Sequence, residues 1–156
     1  MNIRKTDPAL ARLIAKEAKR QDETLDLIPS ENIVSQPVLE ALGTRLANKY
    51  SEGYSGKRYY AGNAVVDDIE RLAMERARKV FHRGSQWHVN VPPYAGSPAN
   101  LAVYVALLAP GDTVMGMSLP FGGHLTHGWK VSVTGKLYRS VQYTVSRAGL
   151  LDFKET

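Results

Sequence analysis

Residues able to do chemistry gather in four places in this 156-residue chain. The densest is Tyr50-Ser51-Glu52-Gly53-Tyr54-Ser55-Gly56-Lys57-Arg58-Tyr59-Tyr60, where four of the eight tyrosines surround one carboxylate and two cations. Positioned Tyr, Glu and Arg can hold an anionic substrate and move a proton. An ordered loop with its tyrosines packed on a core is the equal alternative, although polar and aromatic loops more often carry function. The spacing is not that of a nucleotide-binding P-loop.

The second place is Gly96-Ser97-Pro98, between a candidate strand and a nearly all-apolar helix. Ser97 suits an N-cap and Pro98 a first helical residue, which predicts a helix start there. Free N–H groups and the helix dipole at such a start can hold a phosphate, and Gly96 would let the backbone approach it. Plain capping is the commoner use of the same residues. The third place is Gly122-Gly123-His124-Leu125-Thr126-His127-Gly128. Its histidines could bind a metal, though no third ligand is evident, or one imidazole could lie against a planar ring; by pattern a structural turn is the simplest reading. The fourth, Ser30-Glu31-Asn32, either caps a helix or points a hydroxyl and a carboxylate into a site.

The elements that must position these residues follow from periodicity. Asp7 and Pro8 open a predicted helix over 7–21 with Leu10, Leu13, Ile14 and Ala18 on one face. Ser35 and Pro37 mark another helix entry, with apolar positions continuing to Leu46. Residues 50–64 read as irregular, and Asp67-Asp68 as the start of an amphipathic helix to Phe81. Past a Gly84-Ser85 turn, Trp87 to Val91 suits a buried strand, leading to a buried helix over Leu101 to Leu108 that Pro110-Gly111-Asp112 stops. Thr113 to Met117, Val131 to Val133 and Leu137 to Val145 read as β segments, and Leu150 to Thr156 as the entrance to a further helix. Alternating strands and helices imply α/β with a parallel sheet. So few strands would leave an edge and a face uncovered, so the expectation is a truncated fold that folds poorly by itself.

Composition narrows the classes. The apolar fraction of 44% and charged fraction of 22% are ordinary for a globular domain. No apolar run is long enough to cross a bilayer, and Met1 to Pro8 lacks the apolar core of a secretory signal. The absence of cysteine excludes disulfides and thiolate metal sites, and a cytoplasmic location is expected. The net charge of +5 raises nucleic acid as a partner. The basic residues Arg12, Lys16, Lys19, Arg20, Arg71, Arg76, Arg78 and Lys79 are instead spread over amphipathic helices, with no binding module, so neither nucleic acid nor membrane is expected.

In order along the chain, Leu27 to Asn32, Asn48 to Tyr60, Gly111 to Met117, Gly122 to Gly128 and Ser132 to Tyr138 resemble the serine hydroxymethyltransferase family, from about residue 20 onward. The resemblance implies an N-terminal portion of a fold-type I, aspartate aminotransferase-like large domain, with residues 1–50 as a helical arm and 51–156 as the first part of the cofactor-binding domain. It implies pyridoxal 5'-phosphate as cofactor, tetrahydrofolate as co-substrate, serine and glycine as substrates, and a homodimer or a complement from the missing part. Position by position, Ser30 would hold the amino-acid carboxylate, and Tyr50 and Tyr60 would lie near the substrate with Tyr50 also on the cofactor. Glu52, Tyr60 and His124 would be catalytic, Glu52 as the acid/base that also contacts folate. Tyr50, Glu52 and Tyr60 would reach across a dimer interface. Gly96 and Ser97 would bind the phosphate, His124 would stack on the cofactor ring, and Leu119, Gly123 and Leu125 would form the folate wall. The chain departs from the family at Ala95 (usually serine), Pro98 (commonly glutamine) and Phe121 (often histidine), and 83–87 looks slightly long. The lysine that bonds the cofactor, its pyridine-pairing aspartate and the carboxylate-gripping arginine are not among these residues. A catalytically inactive remnant serving as a binding or oligomerisation module is therefore the alternative expectation.

Overall fold

The computed structural model describes residues 2–81, 84, 86–151 and 153. The chain divides into two compact units, Met1–Tyr50 and Ser51–Thr156.

In the first unit, α1 (Ile3–Thr6) is a single turn capped by the Asn2 side chain, which accepts from Arg4 N–H. Helix α2 (Pro8–Glu23) follows at once because Asp7 accepts from Leu10 N–H at 2.9 Å and Pro8 needs no donor in the first turn. The expected helix is thus present, starting one residue later and running two residues further, to Glu23, while α1 went unanticipated. Its face residues Leu10, Leu13 and Ile14 are exposed. Helix α3 (Gln36–Leu42) starts at Ser35 as expected but does not continue to Leu46. Gly43 closes it by donating to Leu39 O, and Thr44 opens a separate 3-10 turn, Arg45–Asn48, by accepting from Leu46 N–H.

The second unit begins with a hairpin where an irregular segment was expected. Strands β1 (Gly53–Tyr54) and β2 (Lys57–Arg58) pair antiparallel around Ser55-Gly56, and Gly56 takes φ 78°, which favours glycine. Helix α4 (Ala64–Val80) starts three residues earlier than expected, because Asp67 N–H already bonds Asn63 O at 2.8 Å. Trp87 to Val91 forms no strand, and Trp87 N–H instead closes a turn on Gly84 O at 3.1 Å.

Helix α5 (Gly96–Leu107) starts at Gly96 instead of Pro98, and Ala95 occupies the N-cap that Ser97 was expected to fill. The reason is local. Ala95 is extended at φ −157° and its carbonyl accepts from Ala99 N–H, so the first turn winds from Gly96. Nor is α5 buried, since Val103, Val105 and Leu107 are all exposed. Strands β3 (Thr113–Met117) and β4 (Arg139–Tyr143) pair in parallel from Thr113↔Arg139 to Met117↔Tyr143. Between them lie a 3-10 turn, Leu119–Phe121, and a short helix α6 (Val133–Leu137). The β reading of Val131 to Val133 is therefore corrected: Ser132 accepts from Gly135 N–H and caps a helix.

Among the described residues the architecture is mixed α/β with one parallel strand pair. Val114 and Tyr138, on the strand pair and beside it, are the buried hydrophobic residues among those described. Leu151 bridges to Val145, and the rest of the helix expected at the end falls largely outside the described residues. So do Arg83 and Ser85 of the suspected extra length. Among the described residues no helix is long and apolar enough to cross a membrane.

Candidate active site

Arg58 decides the shape of the tyrosine-rich hairpin. Its guanidinium, 6% exposed, donates from Nε to Asp67 Oδ1 at 2.8 Å and pairs through Nη2 with Glu70 Oε2 at 2.6 Å. Its Nη1 donates to the carbonyls of Ser51 and Gly53. Asp67 also accepts from Gly56 N–H at 2.8 Å, and Glu70 from Ser55 Oγ at 3.1 Å. The hairpin is thereby fastened to the first turns of α4. Of the two cations that sequence offered to an anionic substrate, Arg58 is already committed to two carboxylates. Hydrogen bonding from Arg58, then from Gly56, holds the Asp67 carboxyl below its ordinary value. Glu52 remains exposed, its carboxylate without a hydrogen bond among the described residues, and Tyr60 is half exposed at 52%. A cleft of about 330 Å³ opens beside the hairpin, lined by Tyr54, Ser55, Glu70, Met74 and residues 88–92.

The start of α5 is open. Ala95 offers no side-chain cap, and the N–H groups of Gly96 and Ser97 have no partner among the described residues. A Cβ built on Gly96 would meet nothing within 4 Å. One turn on, Asn100 Nδ2 donates to Thr126 Oγ1 at 2.8 Å, and Thr126 Oγ1 lies 2.7 Å from His124 Nδ1. A turn further, Tyr104 OH lies 2.8 Å from His127 Nδ1. Burial raises the Tyr104 hydroxyl above its ordinary pKa, which favours its remaining a neutral donor. Two successive turns of α5 therefore grip the histidine turn, and His124 is exposed. Both histidines are engaged through Nδ1, and among the described residues no group of three or more His, Cys, Asp or Glu could hold a metal ion.

The histidine turn is held from behind as well. Thr134 Oγ1, in a residue 2% exposed, donates to Thr126 O at 2.8 Å and accepts from Gly128 N–H at 3.2 Å. Gln142 Nε2 of β4 donates to His127 O at 2.9 Å. Gly123 lies so close to the Met117 carbonyl that any Cβ there would overlap it. Leu119 and Leu125 flank this close approach with half-exposed side chains, at 39% and 45%.

A serine hydroxymethyltransferase family model matches residues 3–156. The chain belongs to the serine hydroxymethyltransferase family. It is 62% identical over 151 residues to the serine hydroxymethyltransferase of Acidothermus cellulolyticus, covering 96% of this chain and 35% of that protein. It is 55% identical over 153 residues to that of Desulfotalea psychrophila, covering 98% and 35%, and 57% identical over 149 residues to that of Xanthomonas axonopodis pv. citri, covering 96% and 35%. The chain thus spans about a third of the length of these relatives. The match reaches back to residue 3, further than the motifs alone had indicated.

The structure joins the Gly96-Ser97 helix start to the His124 turn through Asn100 and Thr126. Glu52 immediately precedes, and Tyr60 follows, the hairpin that α4 anchors. Ser30 and Tyr50 belong to the first unit; Ser30 lies in the turn closed by Glu31 N–H to Ile28 O at 3.0 Å. Sequence reasoning missed Asn100, Tyr104, Thr126 and Thr134. A signal for the first two existed: Ser97, Asn100 and Tyr104 recur at helical spacing as a polar stripe on an otherwise apolar helix. Thr134 carried no such signal.

Proposed function

We propose that this chain is the portion of a pyridoxal phosphate-dependent glycine hydroxymethyltransferase that holds the cofactor's phosphate and ring and supplies the acid/base carboxylate. The reaction interconverts serine and glycine and passes the one-carbon unit to tetrahydrofolate. The observation that carries the reading is the physical link between an open helix start and an exposed imidazole, made by Asn100 and Thr126. The residues present fit the cofactor: unpartnered N–H groups and the Ser97 hydroxyl suit a phosphate, and the space at Gly96 lets it approach.

When bound, pyridoxal phosphate supplies an electron sink for the amino acid's α-carbon. Gly96 and Ser97 then hold its phosphate, and His124 lies against its ring. Glu52, unengaged in the hairpin, holds or gives a proton at the hydroxymethyl oxygen. Ser30 takes the substrate carboxylate, Tyr50 and Tyr60 border the substrate, and Leu119, Gly123 and Leu125 line the folate. The fold-type I large domain, with residues 1–50 as arm and 51–156 as the start of the cofactor-binding domain, a homodimer, and a cytoplasmic location belong to the same reading. The many exposed apolar side chains, including Leu27, Ile33 and Tyr59, support an assembly that covers them.

Titration with pyridoxal phosphate and with pyridoxal tests this assignment. Phosphate-dependent binding is expected, competed by inorganic phosphate and weakened about tenfold in Ser97→Ala, the loss of one hydrogen bond to a charged group. Equal affinity for pyridoxal, or an unaltered Ser97→Ala chain, would contradict the placement of the phosphate.

A further inference from the structure

The hydrogen bonds around His124 specify more than its position. Asn100, the one side-chain amide in α5, donates through Nδ2 to Thr126 Oγ1 at 2.8 Å. With that oxygen accepting, the hydroxyl hydrogen is free to point along the 2.7 Å contact to His124 Nδ1. Thr126 N–H is directed at the same nitrogen at 3.2 Å. A backbone N–H can only donate, so Nδ1 must accept, and the proton of a neutral ring resides on Nε2.

Every neighbouring contact restrains the same turn. The His127 ring stands edge-on to His124, with centroids 5.8 Å apart and planes at 62°, and Tyr104 holds His127 from α5. Thr134 fixes the Thr126 carbonyl from the far side. Nε2 of His124 has no partner among the described residues, so it is the ring hydrogen left for a ligand.

We propose that Asn100 and Thr126 are a positioning relay that fixes His124 as its Nε2–H tautomer and sets its ring one helical turn from Ser97. The importance of this for catalysis rests on the reading of His124 as the ring-facing group; the relay itself does not. Asn100 and Thr126 touch neither substrate nor cofactor in this scheme. They act through His124.

Nitrogen-15 spectra of the full 156-residue chain with labelled histidine test the relay, with His124 assigned by loss of its signals in His124→Gln. Thr126→Val removes the hydroxyl with little change of shape. Asn100→Asp replaces the donor by an acceptor, which turns the hydroxyl away from Nδ1. Each is expected to lower the Nε2–H to Nδ1–H ratio of His124 about fivefold, as loss of one neutral hydrogen bond would. Thr126→Ser is expected to keep the parent ratio, which a purely packing role for Thr126 would not require. Equal ratios in the parent and Thr126→Val chains overturn the relay, as does a Thr126→Ser chain that behaves like Thr126→Val. Adding pyridoxal phosphate separates the two claims. His124 signals indifferent to it count against the cofactor reading, while the tautomer ratios judge the relay.

Discussion

At Asp67 one carboxylate accepts from Arg58 Nε and from Gly56 N–H, both at 2.8 Å, and so ties the hairpin to α4. Its carboxyl lies below the ordinary 3.8 in the folded chain, chiefly because of Arg58 and next because of Gly56. The unfolded chain therefore takes up this proton first. The stabilisation is complete above the ordinary value and is lost as pH falls through the depressed one. Acidification below pH 3.8 is expected to detach the hairpin, seen as exposure of the Gly56 amide to solvent exchange, and Asp67→Asn is expected to flatten that dependence. A Gly56 amide equally protected on both sides of the range would refute the attachment. Thr134 offers a second test at this scale. Thr134→Val leaves the Thr126 carbonyl and the Gly128 N–H without their partner, a cost of about 1–3 kcal/mol. Hydrogen exchange at Gly128 should accelerate by at least about fivefold; unchanged exchange would mean that another group holds the turn.

Helix α5 works as an element in two directions. Its side presents Asn100 and Tyr104 to the histidine turn, and its start presents bare N–H groups. Alanine at the N-cap leaves those groups free, where a serine could satisfy one of them or add a phosphate contact. Ala95→Ser is accordingly expected to tighten pyridoxal phosphate binding about fivefold, the worth of one further hydrogen bond. The check is a titration of both chains under inorganic phosphate competition. Weaker binding in Ala95→Ser would instead mean that the new hydroxyl caps the helix and closes the site. The parallel pair β3 and β4 supports the turn from below, because Gln142 on β4 reaches the His127 carbonyl.

Across the whole molecule, apolar surface is mostly uncovered. Val114 and Tyr138 are the buried hydrophobic residues among those described, whereas Leu25, Leu27, Ile33, Leu42 and Leu107 are each more than 70% exposed. Conformational entropy opposes folding at about 1–2 kcal/mol per residue, and so small a core offsets little of it. The isolated chain is therefore expected to be folded but only marginally stable, with a low and broad calorimetric transition, and to bind a hydrophobic dye on its exposed faces before heating. A sharp transition at high temperature, with no dye bound before it, would overturn this. Burial of these faces by further polypeptide should raise and sharpen the transition.

The sequence by itself determined the family, and it determined those elements whose signals are local. Asp7-Pro8 opened α2, and Thr113 to Met117 formed β3, because caps and short apolar runs act through neighbours in the chain. It also marked Glu52, Ser97 and His124 as candidates, since their motifs survive in order. Only the tertiary structure decided that Arg58 is spent on Asp67 and Glu70, that Val133 to Leu137 is helix, and that Trp87 to Val91 is not a strand. It alone brought Asn100 to Thr126 across 26 positions of sequence. Such contacts depend on where α5 and the histidine turn meet in space, and hydrophobic periodicity carries no record of which polar side chains face each other there.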